Sequence, residues 1–248
     1  MNDLPALSPN AWLRWDVVSR LLLSAVEPGC DVLEVGCGQG GFGVRLAQRY
    51  RYVGVEPDPL SYEVARSRVE ITGRGEVRHG DLSALTPDER FDLVCAFEVI
   101  EHIEDDQQAL NEWAQRLRPG GTLLLSTPAY QSRFRAADEM VGHFRRYDPL
   151  VLRNKLAAAG LVDIELRHFG APLGYVLEAG RNAVGRRRLA RLEGADMTTR
   201  SHGSGRLLQP SKRKTAAAAQ YGTWPFRRLQ RAFPNRGPGL IAAARKPR

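Results

Sequence analysis

A short apolar strand that breaks into a glycine-rich turn constrains the fold of this chain more than any other feature. Residues 31–42 read DVLEVGCGQGGF, and a helical pattern follows them. Glycine suits such a turn because a Cβ would oppose a positive φ and keep a ligand away from the backbone. The helix that follows offers unpaired N–H groups and a positive dipole end. The sequence therefore predicts a nucleotide or anion site here, or a glycine turn that only packs a strand on a helix.

Apolar runs and helical patterns alternate on both sides of this turn. Such alternation indicates an α/β domain with a mostly parallel sheet. The predicted strands cover 31–35, 52–56, 77–79, 91–97, 122–126, 162–168 and 239–244. The predicted helices cover 11–27, the stretch from the turn to residue 50, 61–71, 106–117 and 150–159.

The composition favours a protein of the cytoplasm. Hydrophobic residues make up 43% of the 248, yet the longest apolar runs are too short to cross a bilayer. The first residues lack the basic and apolar regions of a signal peptide. Three scattered cysteines form neither a disulfide framework nor a zinc spacing.

Basic charge is concentrated in one segment, residues 171–236. This segment carries 14 arginines and lysines against three acids, so that its net charge is +11 within a chain of net +8. We therefore expect a core in residues 1–170, completed by 237–248, and a basic insertion that serves as a lid or substrate-binding arm. Its first part, 172–192, has a helical pattern, whereas 198–219 is predicted to be a loop or disordered.

Two acids at predicted strand ends point to the cofactor. Glu56 lies 20 residues beyond Gly36, where a carboxylate can accept hydrogen bonds from ribose hydroxyls. Asp81 follows the third strand and is placed to accept from an adenine amino group. The turn has the spacing G-x-G-x-G instead of G-x-G-x-x-G, and a P-G-G turn at 119–121 precedes the fifth strand. An adenosyl cofactor fits these features better than a dinucleotide, and an NAD-dependent oxidoreductase is the alternative.

With these residues the chain resembles the class I S-adenosylmethionine-dependent methyltransferases over about residues 10–170 and the last strand. The ubiquinone-pathway type of O-methyltransferase is the nearest resemblance. It implies a Rossmann-like fold with a seven-stranded, mostly parallel sheet and S-adenosylmethionine as cofactor. The positions that the resemblance assigns to the cofactor are Arg14, Glu34, Gly36, Gly38, Gly40, Glu56, Asp81, Leu82 and Phe97.

A second group of residues, after the fourth strand, indicates a metal site. In a helical turn Glu98, Glu101 and His102 would share one face, because they stand at i, i+3 and i+4. The pattern resembles the E-x-x-E-H turn and distant histidine of small-RNA 3′-terminal 2′-O-methyltransferases. That resemblance implies Glu98, Glu101, His102 and His143 as ligands of Mg²⁺, Mn²⁺ or Zn²⁺. His102 and His143 are the predicted catalytic residues, and a metal-free base is the alternative.

Arginines and a tyrosine beside His143 are candidate substrate contacts. Arg145, Arg146 and Tyr147 would hold a phosphate or a sugar hydroxyl, or the arginines would be solvated. In the insertion, Arg186–Arg188 and Lys212–Lys214 would attract phosphates of nucleic acid, anionic lipid or a phosphorylated glycan.

We therefore expect an O-methyltransferase for a hydroxyl of a sugar, a glycan or another small molecule, anionic or lipid-linked. Peripheral contact with an anionic membrane surface is a further expectation. An RNA 2′-O-methyltransferase, a catechol or quinone-precursor enzyme, and a non-enzymatic cofactor-binding protein that interacts through the basic arm stay open.

Overall fold

Seven strands form one mixed sheet in the computed structural model, which describes residues 4–189 and 213–248. The strand order is β3-β2-β1-β4-β5-β7-β6. β7 runs antiparallel to both of its neighbours, and the other pairs are parallel. The predicted α/β fold with a mostly parallel sheet is confirmed. The strands are β1 (Asp31–Val35), β2 (Arg51–Glu56), β3 (Gly75–His79), β4 (Phe91–Phe97), β5 (Leu117–Pro128), β6 (Val162–Phe169) and β7 (Gly239–Arg245).

Helices cover both faces of this sheet, and several begin at residues that suit a helix N-terminus. The Ser8 side chain accepts from the backbone N–H of Ala11, with Pro9 as the first helical residue. Asp58 caps the helix that follows β2 in the same way. The helices are α1 (Pro9–Ala25), α2 (Gly43–Ala47), α3 (Pro59–Glu70), α4 (Asp106–Gln115), α5 (Ala136–Val141), α6 (Pro149–Ala158), α7 (Leu173–Leu189), α8 (Arg213–Gly222) and α9 (Trp224–Leu229).

Each face of the sheet has its own hydrophobic core, because neighbouring residues of a strand point to opposite faces. Leu33 packs with Trp113 and Tyr147 on one face, and Val32 packs with Leu13 and Tyr52 on the other. The central strands β1 and β4 are buried along nearly their whole length. They therefore form a rigid support for the loops that leave their carboxyl ends.

The insertion is more helical than predicted. α7 confirms the expected helix up to Leu189, but Arg213–Gly222 is a helix where the sequence predicts a loop. Its alanine run explains the difference, since alanine has the highest helix propensity. The rest of the predicted 198–219 loop, and the basic residue Lys212, lie outside the described residues. Among the described helices none is both long and apolar enough to cross a membrane.

Candidate active site

The glycine-rich turn between β1 and α2 forms the floor of the site. Gly36, Gly38 and Gly40 all have positive φ, at 65°, 55° and 72°. A Cβ on Gly36 would come within 2.8 Å of Val99 Cγ2, whereas a Cβ on Gly38 would meet no atom within 4 Å. Gly36 is thus required by packing, while Gly38 presents bare backbone to open space. This open face is where a ligand can approach the main chain.

Glu56 connects the end of β2 to this turn. One carboxylate oxygen accepts from Gly38 N at 2.7 Å, and the other accepts from Asp58 N at 3.0 Å. Asp81, beyond β3, accepts from Ser83 N, and this hydrogen bond holds the pKa of its carboxyl below the usual value. Both acids lie after parallel strands at the carboxyl edge of the sheet. This is the edge at which open α/β sheets bind their ligands.

Glu34 differs from the other cofactor candidates because it is enclosed beneath the turn. It is only 3% exposed, and Tyr52 donates its phenolic proton to the carboxylate at 2.6 Å. Burial raises the pKa of Glu34 to about 8, against a smaller lowering by the Tyr52 hydrogen bond. The structure therefore shows Glu34 holding β1 to β2 from below, and a direct contact with a cofactor stays a prediction.

Arg14 reaches the site from α1. Its guanidinium pairs with Glu98 at 3.0 Å and lies 5.1 Å from the centre of the Phe42 ring. Phe42 in turn meets Phe97, the last residue of β4, edge to face. Leu82 is half-buried in the short turn after Asp81. These residues lie on strand ends, turns or a helix near the glycine-rich turn, consistent with the predicted cofactor side of the site.

Glu101, His102 and His143 come together after β4. One ligand atom from each lies within 4.8 Å of the others, which is close enough for a shared metal ion. Glu101 is fully buried, and its Oε1, which lies 3.9 Å from His143 Nε2, has no hydrogen-bond partner. Its Oε2 accepts from Thr127. Burial lowers the pKa of His102 to about 4, so this imidazole is neutral at pH 7.

Glu98 does not join this group, which corrects its prediction as a metal ligand. Its φ of 60° is left-handed, and the 3-10 turn begins only at Ile100, so the assumed helical spacing is absent. The carboxylate instead contacts Arg14 and accepts from Ser126. Burial acts to raise the pKa of Glu98, but Arg14 and His143 lower it below its usual value. A non-glycine residue with such a φ is strained, and strain of this kind clusters at functional sites.

His143 is oriented by residues that the sequence analysis did not find. Its Nδ1 lies 2.9 Å from Asp138 on α5, so a proton on Nδ1 leaves Nε2 facing Glu101. Arg146 donates to both oxygens of Asp138 and also pairs with Glu178 of α7. Burial acts to raise the pKa of Asp138, but hydrogen bonds from His143 and Arg146 lower it to about 2. No local motif marks Asp138 or Glu178 in the sequence.

The predicted substrate contacts at 145–147 are engaged within the protein. Arg146 is 6% exposed between its two carboxylates, and Tyr147 is 1% exposed and donates to Asp106. Arg145 pairs with the same Asp106 and donates to the carbonyl of Glu104. The burial of Arg146 and Tyr147 corrects the prediction that they touch a substrate, because their polar groups hold the loop after β5. The predicted phosphate-attracting residues Arg186–Arg188 are exposed on α7.

The strand order of the sheet and the turns at its carboxyl edge are those of a Rossmann-like class I methyltransferase fold. These turns include the glycine-rich turn, the acid that ends β2 and the acid that follows β3. Residues 33–125 match the methyltransferase domain family, which covers β1 to β5 and the turns of the site. Within these residues the chain is thus similar to methyltransferase domains.

Two curated methyltransferases are also similar to this chain. A probable S-adenosylmethionine-dependent methyltransferase of Mycolicibacterium smegmatis is 39% identical over 129 residues, which is 50% of this chain and 49% of the relative. The mitochondrial ubiquinone biosynthesis O-methyltransferase of Schizosaccharomyces pombe is 31% identical over 137 residues, 47% of this chain and 50% of the relative. The chain thus spans about half the length of each.

A solved structure extends the similarity to nearly the whole chain. The N-methyltransferase NodS of Bradyrhizobium japonicum, in complex with S-adenosyl-L-homocysteine, has a TM-score of 0.57 and 18% identity. The match covers 95% of this chain and 86% of NodS. At this identity the similarity concerns the fold and not the acceptor.

Proposed function

We propose that the chain is an S-adenosylmethionine-dependent O-methyltransferase that acts on a hydroxyl of a sugar, a glycan or another small molecule, assisted by a divalent metal ion. The methyltransferase domain at 33–125 and the relatives named for S-adenosylmethionine support the cofactor and the reaction class. The observation that carries the choice of a hydroxyl and a metal is the Glu101–His102–His143 group beside the cofactor edge.

The residues at the sheet edge fit an adenosyl cofactor. Bare backbone at Gly38 leaves room for the ligand, and Glu56 already presents a carboxylate beside it. Glu56 would accept from the ribose hydroxyls and Asp81 from the adenine amino group. Arg14 would meet the carboxylate of the methionine part, because its largely buried guanidinium pairs with Glu98 just after β4.

The residues after β4 fit a divalent ion. A buried carboxylate oxygen without a hydrogen bond is costly, and a cation next to Glu101 Oε1 would remove that cost. One carboxylate and two imidazoles suit Mn²⁺ or Zn²⁺ better than Mg²⁺, which prefers oxygen ligands. When bound, such an ion lowers the pKa of an attached hydroxyl, as zinc lowers that of water from 15.7 to about 7.

Methyl transfer from a sulfonium needs an in-line hydroxyl oxygen that is losing its proton. His102 is neutral at pH 7 and can accept a proton. His143 is held by Asp138 so that its Nε2 faces the same space as Glu101. With an ion bound, the two histidines would help to hold it beside the hydroxyl. In the metal-free alternative, Nε2 of His143 or the neutral His102 would receive the proton of the hydroxyl. The rigid support of Asp138 by Arg146 keeps the imidazole in place through the reaction.

Two observations support other acceptors. The similarity to a ubiquinone biosynthesis O-methyltransferase favours a catechol or a quinone precursor, whose neighbouring hydroxyls suit the same metal-binding group. The exposed Arg186–Arg188 favours an anionic polymer such as RNA. An acceptor screen with labelled cofactor distinguishes sugars, catechols and RNA directly.

The test of the metal combines this screen with EDTA and two variants. Glu101→Gln removes the orphaned carboxylate oxygen, and Glu104→Gln, an exposed glutamate in the next turn, is the matched control. We expect EDTA and Glu101→Gln each to lower methyl transfer by about 10²-fold or more, as loss of assisted deprotonation does. Titration calorimetry with Mn²⁺ alone should show binding to the wild type and the control only.

Full turnover in the presence of EDTA, together with full turnover of Glu101→Gln, would contradict the metal. Absence of labelled product from every acceptor class, in a protein that binds S-adenosylmethionine, would contradict the proposed function as a whole.

A further inference from the structure

Arg181 is a half-buried cation that the proposed reaction does not yet use. It lies on α7, one turn beyond Glu178, and its Nε is enclosed without a hydrogen-bond partner. Among the described residues, its guanidinium forms no ion pair or hydrogen bond. Burial lowers the pKa of Arg181, while Glu98 nearby raises it. The enclosed Nε–H carries a desolvation penalty, and an anion bound at this guanidinium would relieve it.

The neighbouring guanidinium groups are all paired. Arg14 pairs with Glu98, Arg133 pairs with Glu178, and Arg146 pairs with both Glu178 and Asp138. Outside the Glu101–His102–His143 group, this part of the structure therefore places four guanidiniums against three carboxylates. The unmatched positive charge is that of Arg181.

The position of α7 is well fixed by its contacts with α5. The Asn182 side chain accepts from Ala137 N of α5 at 3.1 Å. Gly185 lies so close to α5 that a Cβ would come within 2.9 Å of the Ala136 backbone. Glu178, Arg181, Asn182 and Gly185 stand at helical spacing on one face of α7. That face is held against the helix that carries Asp138.

Arg181 also lies close to the residues that hold His143, because Glu178, one turn away on α7, pairs with Arg146. It acts electrostatically on Glu98, the strained residue between the cofactor side and the histidines. Asp138, which orients His143, and Arg146 act on it in turn. Arg14 reaches Glu98 from α1, which covers the cofactor side. The two arginines thus approach from different elements, and each can serve one anionic group.

We propose that Arg181 binds an anionic group, a carboxylate or a phosphate, of the methyl acceptor. The inference rests on the proposed function and narrows its substrate class to anionic hydroxyl compounds. A planar guanidinium binds both of these groups through two parallel N–H···O bonds, which also fixes their orientation. The basic insertion then has a definite role, because one of its helices supplies the substrate's counter-charge beside the reacting hydroxyl.

The experiment measures binding and does not need turnover. Full-length protein loaded with S-adenosyl-L-homocysteine is titrated with 3,4-dihydroxybenzoate, with its neutral methyl ester, and with inorganic phosphate. We expect the wild type to prefer the carboxylate to the ester by about tenfold or more, as a charged hydrogen bond does. Competition by phosphate tells whether the site accepts phosphate as well as carboxylate.

Two variants and a control test the role of Arg181. Arg181→Gln should reduce the preference for the carboxylate to less than about threefold. Arg181→Lys should keep part of this preference, because lysine keeps the positive charge but cannot donate the two parallel hydrogen bonds of a guanidinium. Arg49→Gln, at an exposed arginine after α2, should behave as the wild type. Thermal unfolding checks that each variant is folded. If Arg181→Gln does not fold, Arg181→Lys alone is compared with the wild type.

Equal binding of acid and ester by the wild type, a preference unchanged in the Arg181 variants, or binding of none of the three probes would overturn the proposal. Methyl transfer to the neutral ester is measured in parallel. If transfer occurs while the preference is absent, only the anionic acceptor is wrong. If the preference depends on Arg181 while no acceptor is methylated, the proposed function is wrong and the anion site stands.

Discussion

At the scale of single residues, some positions in the candidate site were predictable from the sequence and others were not. The position of the candidate cofactor residues was predictable because glycine spacing and acids at strand ends are local signals. Gly36, Glu56 and Asp81 all lie at the carboxyl edge of the sheet. Glu98 was misplaced because a left-handed residue interrupts the turn, which spacing alone cannot reveal. Asp138 was missed because its meaning depends on the packing of a six-residue helix against His143.

Gly36 and Gly38 of the turn should respond differently to substitution by alanine. Alanine at Gly36 or Gly38 costs about 1–2 kcal/mol for a positive φ. Only Gly36→Ala adds a clash with Val99, so it should lower the unfolding midpoint more than Gly38→Ala. Gly38→Ala should instead weaken the binding of S-adenosyl-L-homocysteine, measured by calorimetry. The reverse order of the two stabilities would contradict the packing role of Gly36.

The second prediction at this scale concerns Glu34 and pH. Its folded pKa of about 8 lies above the ordinary value of 4.5, because burial favours the neutral acid. The stabilisation by neutral Glu34 is full below about pH 4.5 and is lost as the pH rises through 8. The wild type should therefore lose up to about 1.4 kcal/mol per pH unit in this window, relative to Glu34→Gln.

Urea unfolding of both proteins at several pH values measures this difference. Glu27→Gln, at an exposed glutamate, is the control and should follow the wild type. Parallel curves for the wild type and Glu34→Gln would show that Glu34 does not titrate in this range.

At the scale of elements, the strands and most helices were predictable, while α5, α8 and α9 were not. Strands β1, β4 and β5 are apolar runs with turn signals on both sides, so the local sequence alone predicts that they are buried strands. α5 has six residues and no distinct apolar face, and it is held mainly by α7. α8 carried a usable signal, four successive alanines, which the surrounding polar composition obscured.

The prediction at this scale tests the contact of α7 with α5. Gly185→Ala would place a Cβ 2.9 Å from the Ala136 backbone and should cost about 1–3 kcal/mol, as overpacking does. Gly180→Ala on the same helix meets no atom within 4 Å and should stabilise the protein by about 0.5–1 kcal/mol. Thermal unfolding gives both values, and hydrogen exchange over residues 173–189 should rise only in Gly185→Ala. Equal effects would mean that α7 does not rest on α5.

At the scale of the whole molecule, the fold class was predictable from the alternation of strands and helices, while the order of the sheet was not. Apolar runs identify β6 and β7 as strands but do not say that β7 lies between β5 and β6. The resemblance to a known fold supplied the number of strands and the mostly parallel sheet, but not this order. The contacts of the insertion with the rest of the site were not predictable either. Charge counts describe 171–236 as basic without showing that Glu178 pairs with Arg146 or that Arg181 is influenced by Glu98.

The place of β7 has a consequence for how the chain acquires this structure on the ribosome. β6 is joined to the rest of the sheet through β7, which pairs with β5 on its other side. β6 ends at Phe169 and β7 begins at Gly239, so the whole insertion emerges from the exit tunnel before the sheet can be completed. While the basic insertion is being synthesised, the edge of β5 is therefore unpaired, and β6 has no neighbouring strand to pair with. An exposed edge of this kind is a hazard for aggregation, and the like charges of the arginines that follow would oppose the approach of neighbouring nascent chains.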